Sequence, residues 1–144
     1  MPSRKAEAVW QGSLNDGGGT VKIGSGLLDV PYTFKARVEE EAHNTNPEEL
    51  IGAGLASCYA MFLSAILGRA EHKVNRIAAT ANVNLLRGDA GLQINEIVLD
   101  VEGDIPGMDA ATFQDFAEKA KVGCPVSQAL ASVPSIKLNA RLVS

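Results

Sequence analysis

Two cysteines, Cys58 and Cys124, are the residues of this 144-residue chain best suited to covalent or redox chemistry, and their settings differ. Cys124 stands in Gly123-Cys124-Pro125-Val126-Ser127-Gln128, where Pro125 suits the first position of a helix. A thiolate there faces free backbone N–H groups and the positive end of the helix dipole, which favour ionisation. Cys58 falls about three turns inside a longer helix and has no such help. Burial alone raises its pKa, so ionisation near neutral pH requires a fixed cation. Histidine is scarce, with only His43 and His72. An arginine is the better candidate, because it stays charged when desolvated and can be held bidentately by a carboxylate.

Other uses of these residue types stay open. A buried free cysteine often behaves as a small hydrophobe, and both thiols would then be incidental to a binding or stress-packing protein. A metal site is not expected, since neither the cysteines nor the histidines show the short ligand spacing of zinc sites. A Cys–His hydrolase would need a histidine oriented by a third group. His43 precedes the central helix and His72 follows it, both in polar connections.

The element that must position Cys58 opens at Thr45-Asn46-Pro47-Glu48-Glu49. Asn46 can cap a helix, Pro47 suits its first position, and Glu49 stands where a capping-box carboxylate belongs. From Leu50 to Gly68 there is no charged residue, and small or apolar side chains surround the circumference. That pattern predicts a long central helix buried all round. The same run is long enough to span a bilayer. Gly52, Gly54, Ser57, Ser64 and Gly68 and the lack of a second such segment point instead to a core helix without a membrane.

Strands are expected on both sides. Lys5 to Gln11 alternates, Asn15 to Gly19 is a turn cluster, and Thr20 to Ser25 returns. Tyr32 to Glu39 alternates again, with Tyr32, Phe34, Ala36 and Val38 on one face and Arg37 on the other, a solvated position in the plainest reading. Residues 40–44 link this strand to the central helix. Ile77 to Leu85 and Leu92 to Gly103 form a hairpin whose apolar phase changes between Ile94 and Ile97, predicting a bulge near Asn95. A second helix carries Phe113, Phe116, Ala117 and Ala120 and stops at Gly123; a short third helix follows Cys124, and Ile136 to Leu142 is a last strand. The order βββαββααβ with antiparallel connections gives an α+β class, one domain over residues 1–144.

The net charge of −4, with scattered lysines and arginines, offers no basic patch for nucleic acid or an anionic membrane. Met1 to Trp10 has basic residues with no apolar run behind them, so no signal peptide is expected and the chain reads as cytoplasmic. In that compartment a lasting structural disulfide is disfavoured.

Several blocks together resemble the osmotically inducible protein C family, and they run nearly end to end in order and spacing. They are Ala8-Val9-Trp10-Gln11-Gly12-Ser13-Leu14, Gly18-Gly19-Thr20-Val21, Thr45-Asn46-Pro47-Glu48-Glu49-Leu50-Ile51-Gly52-Ala53, Ala56-Ser57-Cys58, Pro106-Gly107-Met108-Asp109 and Lys121-Val122-Gly123-Cys124-Pro125-Val126-Ser127-Gln128. The match is closer to this branch than to its sister, the organic hydroperoxide resistance proteins. The resemblance implies an intertwined homodimer with active sites at the subunit interface. It also implies a thiol peroxidase that reduces organic hydroperoxides and, less well, hydrogen peroxide. Cys58 matches the peroxidatic cysteine, Cys124 the resolving one, Glu48 the family glutamate and Arg37 the arginine on the preceding strand. On this reading Arg37 favours the Cys58 thiolate and Glu48 fixes the guanidinium plane, with Glu49 a helix cap. Leu55, Tyr59 and Phe62 would favour an alkyl or aryl substrate. An external dithiol of lipoyl type is the implied reductant, and no cofactor or metal is implied.

Overall fold

The computed structural model describes residues 1–40 and 43–143. The chain divides into two units, Met1–Leu50 and Ile51–Ser144.

The first unit is built on an antiparallel meander of β1 (Ala6–Gln11), β2 (Gly18–Ile23) and β3 (Asp29–Tyr32), in that spatial order. Gly19 pairs with Trp10 on one neighbour and with Tyr32 on the other. A Cβ on Gly19 would fall 2.2 Å from the Val9 carbonyl oxygen and 2.6 Å from the Tyr32 ring. Glycine therefore lets the Trp10 and Tyr32 rings meet across the middle strand, their centroids 5.4 Å apart.

The strand expected over Tyr32–Glu39 is not formed. β3 ends at Tyr32, and Phe34–Val38 is a short helix, α1. Thr33 is its N-cap, its hydroxyl accepting from the Ala36 N–H at 3.1 Å. Lys35 and Glu39 then pair one turn apart at 3.7 Å, and Ala36 alone is buried. Over so short a run the apolar alternation is a weak signal and the threonine cap outweighs it; in the helix Ala36 turns inward while Val38 is 46% exposed. Arg37 thus stands on a helix, not a strand. Of the link expected over residues 40–44, Glu41 and Ala42 lie outside the described residues.

The central helix, α2 (Pro47–Arg69), begins in the first unit and runs unbroken through its 23 residues. Its start follows the capping signal: Asn46 Oδ1 accepts from the Glu49 N–H at 2.9 Å. Glu49 Oε2 accepts from the Thr45 hydroxyl at 3.4 Å, a looser version of the capping box.

In the second unit β4 (Arg76–Gly88) and β5 (Gly91–Asp104) form the antiparallel hairpin, and β6 (Ser135–Leu142) lies on the far side of β5. The expected bulge is present: Asn84 faces Glu96 while Leu85 faces Ile94, leaving Asn95 unpaired. β6 runs parallel to β5, against the antiparallel expectation. The helices α3 (Ala110–Gly123) and α4 (Pro125–Ala129) fill the connection, and a crossover of that length returns the chain in the same direction.

The core of this unit joins Leu55, Tyr59, Leu63 and Leu67 of α2 to Ile97, Leu99 and Val101 of β5 and Phe113 and Ala120 of α3. Each fully buried large side chain contributes about 1.5–3 kcal/mol. Burial of α2 follows one stripe only. Ala53, Gly54, Ser57, Met61, Ser64, Ala65 and Gly68 are exposed, Met61 at 75%. All-round burial therefore does not hold within one chain, because only one face of α2 has a partner there. By length and composition α2 is the one described helix that could cross a membrane.

Candidate active site

Cys58 lies in the middle of α2, on the flank between its buried stripe and its exposed face. Cys124 lies at the junction of α3 and α4 and is 0% exposed. The junction has a local cause. The residue before a proline is steered away from helical geometry, and Cys124 is extended (φ −60°, ψ 127°) ahead of Pro125. Its N–H donates to the Ala120 carbonyl and its own carbonyl accepts from the Gln128 N–H, each at 3.0 Å, so one residue closes α3 and opens α4. A Cβ on Gly123 would fall 2.7 Å from the Phe62 ring. Glycine at this point lets α2 carry Phe62 close to the cysteine turn.

This packing brings the Cys58 and Cys124 sulfurs to 3.0 Å, with both thiols free. Cys58 opens into a cavity of about 360 Å³ that Ser57, Met61, Phe62 and Pro125 also line. Leu55 and Tyr59, expected beside it, are instead fully buried in the core. They sit on the stripe that faces β5 and α3, and Tyr59 donates its hydroxyl to the Ala117 carbonyl at 2.9 Å. Burial there pushes the Tyr59 phenol well above its ordinary range.

The two thiols are not equivalent. Burial raises the Cys58 pKa, and the hydrogen bond and charge of Cys124 raise it further against a smaller opposing effect of the Val126 backbone. Burial is also the largest single influence on Cys124 and opposes its ionisation. The hydrogen bond between it and Cys58, the Ser127 backbone and hydroxyl and the Val126 backbone together outweigh it and hold the Cys124 thiol below its ordinary range. Cys124 is therefore the more readily ionised thiol of the pair, with the helix-start stabilisation expected of it. Ser127 is 5% exposed, and among the described residues its hydroxyl has no partner at hydrogen-bond geometry.

The other two expected residues also meet. Arg37 donates from Nε to Glu48 Oε1 at 2.9 Å, and its Nη2 lies 2.9 Å from the same oxygen as an ion pair. Glu48 is only 7% exposed, and its second oxygen, Oε2, is buried without a hydrogen-bond partner among the described residues. Asn46 positions the pair: besides capping α2, its side-chain amide donates to the Ala36 carbonyl of α1 at 3.0 Å. Arg37 also lines an apolar cavity of about 230 Å³ with Trp10, Leu14, Tyr32, Phe34 and Pro47. This aromatic wall was missed in the sequence reading; the available signal was Gly19 between two strands that carry Trp10 and Tyr32.

α2 is continuous through Gly52 and Gly54. His43 is exposed, and His72 packs edge-on against Phe116, centroids 5.5 Å apart. Among the described residues no group of three or more His, Cys, Asp or Glu is placed to hold a metal ion.

The family described as OsmC-like protein matches residues 39–139. A protein of Escherichia coli named Peroxiredoxin OsmC is 48% identical over 128 residues, covering 88% of this chain and 89% of that one. An organic hydroperoxide resistance protein, OhrA, of Bacillus subtilis is 37% identical over 106 residues, 71% of each chain. Among solved structures, an organic hydroperoxide resistance protein OsmC from Legionella pneumophila superposes with a TM-score of 0.76 at 24% identity. That superposition covers 94% of this chain and 96% of the other, and it supports the fold alone.

Proposed function

The chain belongs to the OsmC-like family, and on that footing we propose that it is a thiol peroxidase that reduces organic hydroperoxides to alcohols. The observation that carries this reading is the 3.0 Å approach of an accessible sulfur, Cys58, to a fully buried one, Cys124. The names of the relatives, peroxiredoxin and organic hydroperoxide resistance protein, support detoxification of peroxide under stress.

Cys58 thiolate attacks the peroxide oxygen distal to the alkyl group. The O–O bond breaks, the leaving alkoxide takes a proton to become the alcohol, and Cys58 is left as a sulfenic acid. Cys124 thiolate then attacks the Cys58 sulfur and displaces hydroxide, which leaves as water, forming the disulfide. An external dithiol, of lipoyl type, returns both thiols with two electrons. Cys124 ionises more readily but is enclosed, so it resolves; Cys58 is open, so it meets the substrate.

Cys58 still needs a cation to ionise. We assign that role to Arg37, its guanidinium plane fixed by Glu48, and place the pair at the Cys58 of a second copy. Two copies laid together along the exposed faces of α2, which are rich in small residues, would cover the surface a single chain leaves open. In that intertwined homodimer the whole chain, 1–144, acts as one domain, and a second copy, not lipid, covers α2. The aromatic wall beside Arg37 and the cavity at Cys58 suit an alkyl or aryl tail. A cytoplasmic setting keeps such a pair cycling.

Steady-state reduction of cumene hydroperoxide with dihydrolipoamide as electron donor tests the function. Wild type should turn over and Cys58→Ser should not. Turnover in Cys58→Ser, or two thiols of ordinary reactivity that ignore hydroperoxide, would instead favour a non-catalytic stress or binding protein.

A further inference from the structure

Ser127 has a buried hydroxyl that the peroxidase cycle, as written, does not use. It stands three residues after Cys124, in the first turn of α4, and is 5% exposed. Its Oγ has no hydrogen-bond partner among the described residues, although a hydroxyl enclosed in this way costs stability unless something accepts from it. The nearest use lies across the turn, where the residue at the third helical position can reach back to the cap residue, here Cys124. A neutral thiol is a poor acceptor. A thiolate is a good one, so the Ser127 hydroxyl is matched to a state in which Cys124 carries negative charge.

We propose that Ser127 positions and stabilises Cys124 as the leaving thiolate when the Cys58–Cys124 disulfide is reduced, so that the reductant attacks Cys58 and not Cys124. This rests on the proposed cycle and adds the direction of its last step. One thiolate of the reducing dithiol bonds to Cys58 Sγ. The S–S bond breaks and its electron pair stays on Cys124 Sγ, which Ser127 and the start of α4 receive. The second thiol of the dithiol then attacks its own sulfur in the mixed disulfide, closing a cyclic disulfide and releasing Cys58. The two protons of the dithiol end on the two cysteines.

Two further observations point the same way. Cys58 lines the cavity that admits a reagent, whereas Cys124 is 0% exposed. A thiol held below its ordinary pKa is also the better leaving group in exchange, and the influences that lower Cys124 include the Ser127 hydroxyl. Ser127 is a positioning residue in this scheme, since it acts through Cys124 and touches no substrate.

The test forms the disulfide with diamide, which needs no peroxidase activity, so a failure here is separable from a failure of the proposed function. The oxidised chain is mixed with excess glutathione, quenched in acid and mapped by peptide mass. In wild type the mixed disulfide should be found on Cys58 and the free thiol on Cys124. Ser127→Ala should slow the exchange about tenfold, the scale of one hydrogen bond to a charged group. It should also raise the Cys124 thiol pKa, read from thiolate absorbance in a Cys58→Ser background. Ser127→Thr, which keeps the hydroxyl, should restore both. Glutathione on Cys124, or an even split, would overturn the inference whether or not the alanine variant folds. An unchanged rate and pKa in a folded Ser127→Ala chain would overturn it equally.

Discussion

The sulfurs of Cys58 and Cys124 lie 3.0 Å apart, yet Cys58 lines a cavity and Cys124 is fully buried. That asymmetry divides the labour between them. Cys124→Ser should consume a single equivalent of hydroperoxide and then hold a sulfenic acid that a dimedone probe traps. Cys58→Ser should consume none. Turnover in Cys58→Ser with no consumption in Cys124→Ser would reverse the assignment.

The same contact sets a pH dependence. Burial raises the Cys58 pKa first, and the neighbouring Cys124 adds to it. A raised thiol pKa means less thiolate at a given pH, so removing that neighbour should move ionisation of Cys58 to lower pH. Single-turnover oxidation of Cys124→Ser by cumene hydroperoxide should therefore reach half its maximal rate at a lower pH than wild type. A midpoint moved upward would mean that Cys124 assists ionisation of Cys58.

Arg37 holds its guanidinium against one oxygen of Glu48 through Nε and Nη2. If that group stabilises the Cys58 thiolate and the departing alkoxide, Arg37→Ala should slow oxidation by about 100-fold, the scale of one fixed donor. Arg37→Lys should recover only part of this, since lysine cannot make the side-on pair. Stopped-flow oxidation rates decide it: a rate unchanged in Arg37→Ala removes Arg37 from the mechanism.

Gly123 lets the Phe62 ring lie against the cysteine turn. Gly123→Ala should cost about 1–3 kcal/mol in denaturant unfolding, the range for overpacking, and should slow disulfide formation. Adding Phe62→Leu should return part of the stability, a coupling that two independent sites would not show.

Much of this was legible in the chain because some signals are chemical and local. The Asn46 cap followed by Pro47 and Glu49 marked the start of α2, and the change of phase between Ile94 and Ile97 marked the bulge at Asn95. Cys124 ahead of Pro125 marked a helix start. Three features were not legible. In Phe34–Val38 the residues alternate as a strand would, but the Thr33 cap starts a helical turn that buries Ala36 alone. The direction of β6 depends on how α3 and α4 pack, which the strand pattern does not encode. The apolar circumference of α2 reads as all-round burial, but a single chain supplies a partner for one stripe only. Leu55 and Tyr59 were expected beside Cys58 for the same reason, since only packing decides which side of an apolar helix faces the core.

The unbroken α2 makes the position of Glu48 testable. About 15 Å of helix separates it from the Cys58 of its own chain, so the pair Arg37–Glu48 should serve the Cys58 of the second copy. Differently tagged Cys58→Ser and Glu48→Ala chains can be co-expressed and the mixed dimer isolated. In the trans arrangement one site keeps both groups, and activity should return to about half of wild type by site counting. A mixed dimer no more active than its Glu48→Ala parent would place the glutamate within its own chain.

Counting thiols tests the central claim most directly. One equivalent of cumene hydroperoxide added to the reduced wild-type chain should remove two titratable thiols per chain and yield one equivalent of cumyl alcohol, and a dithiol should restore both thiols. Two thiols still titratable after the hydroperoxide is added, with no alcohol formed, would contradict a peroxidase built on Cys58 and Cys124.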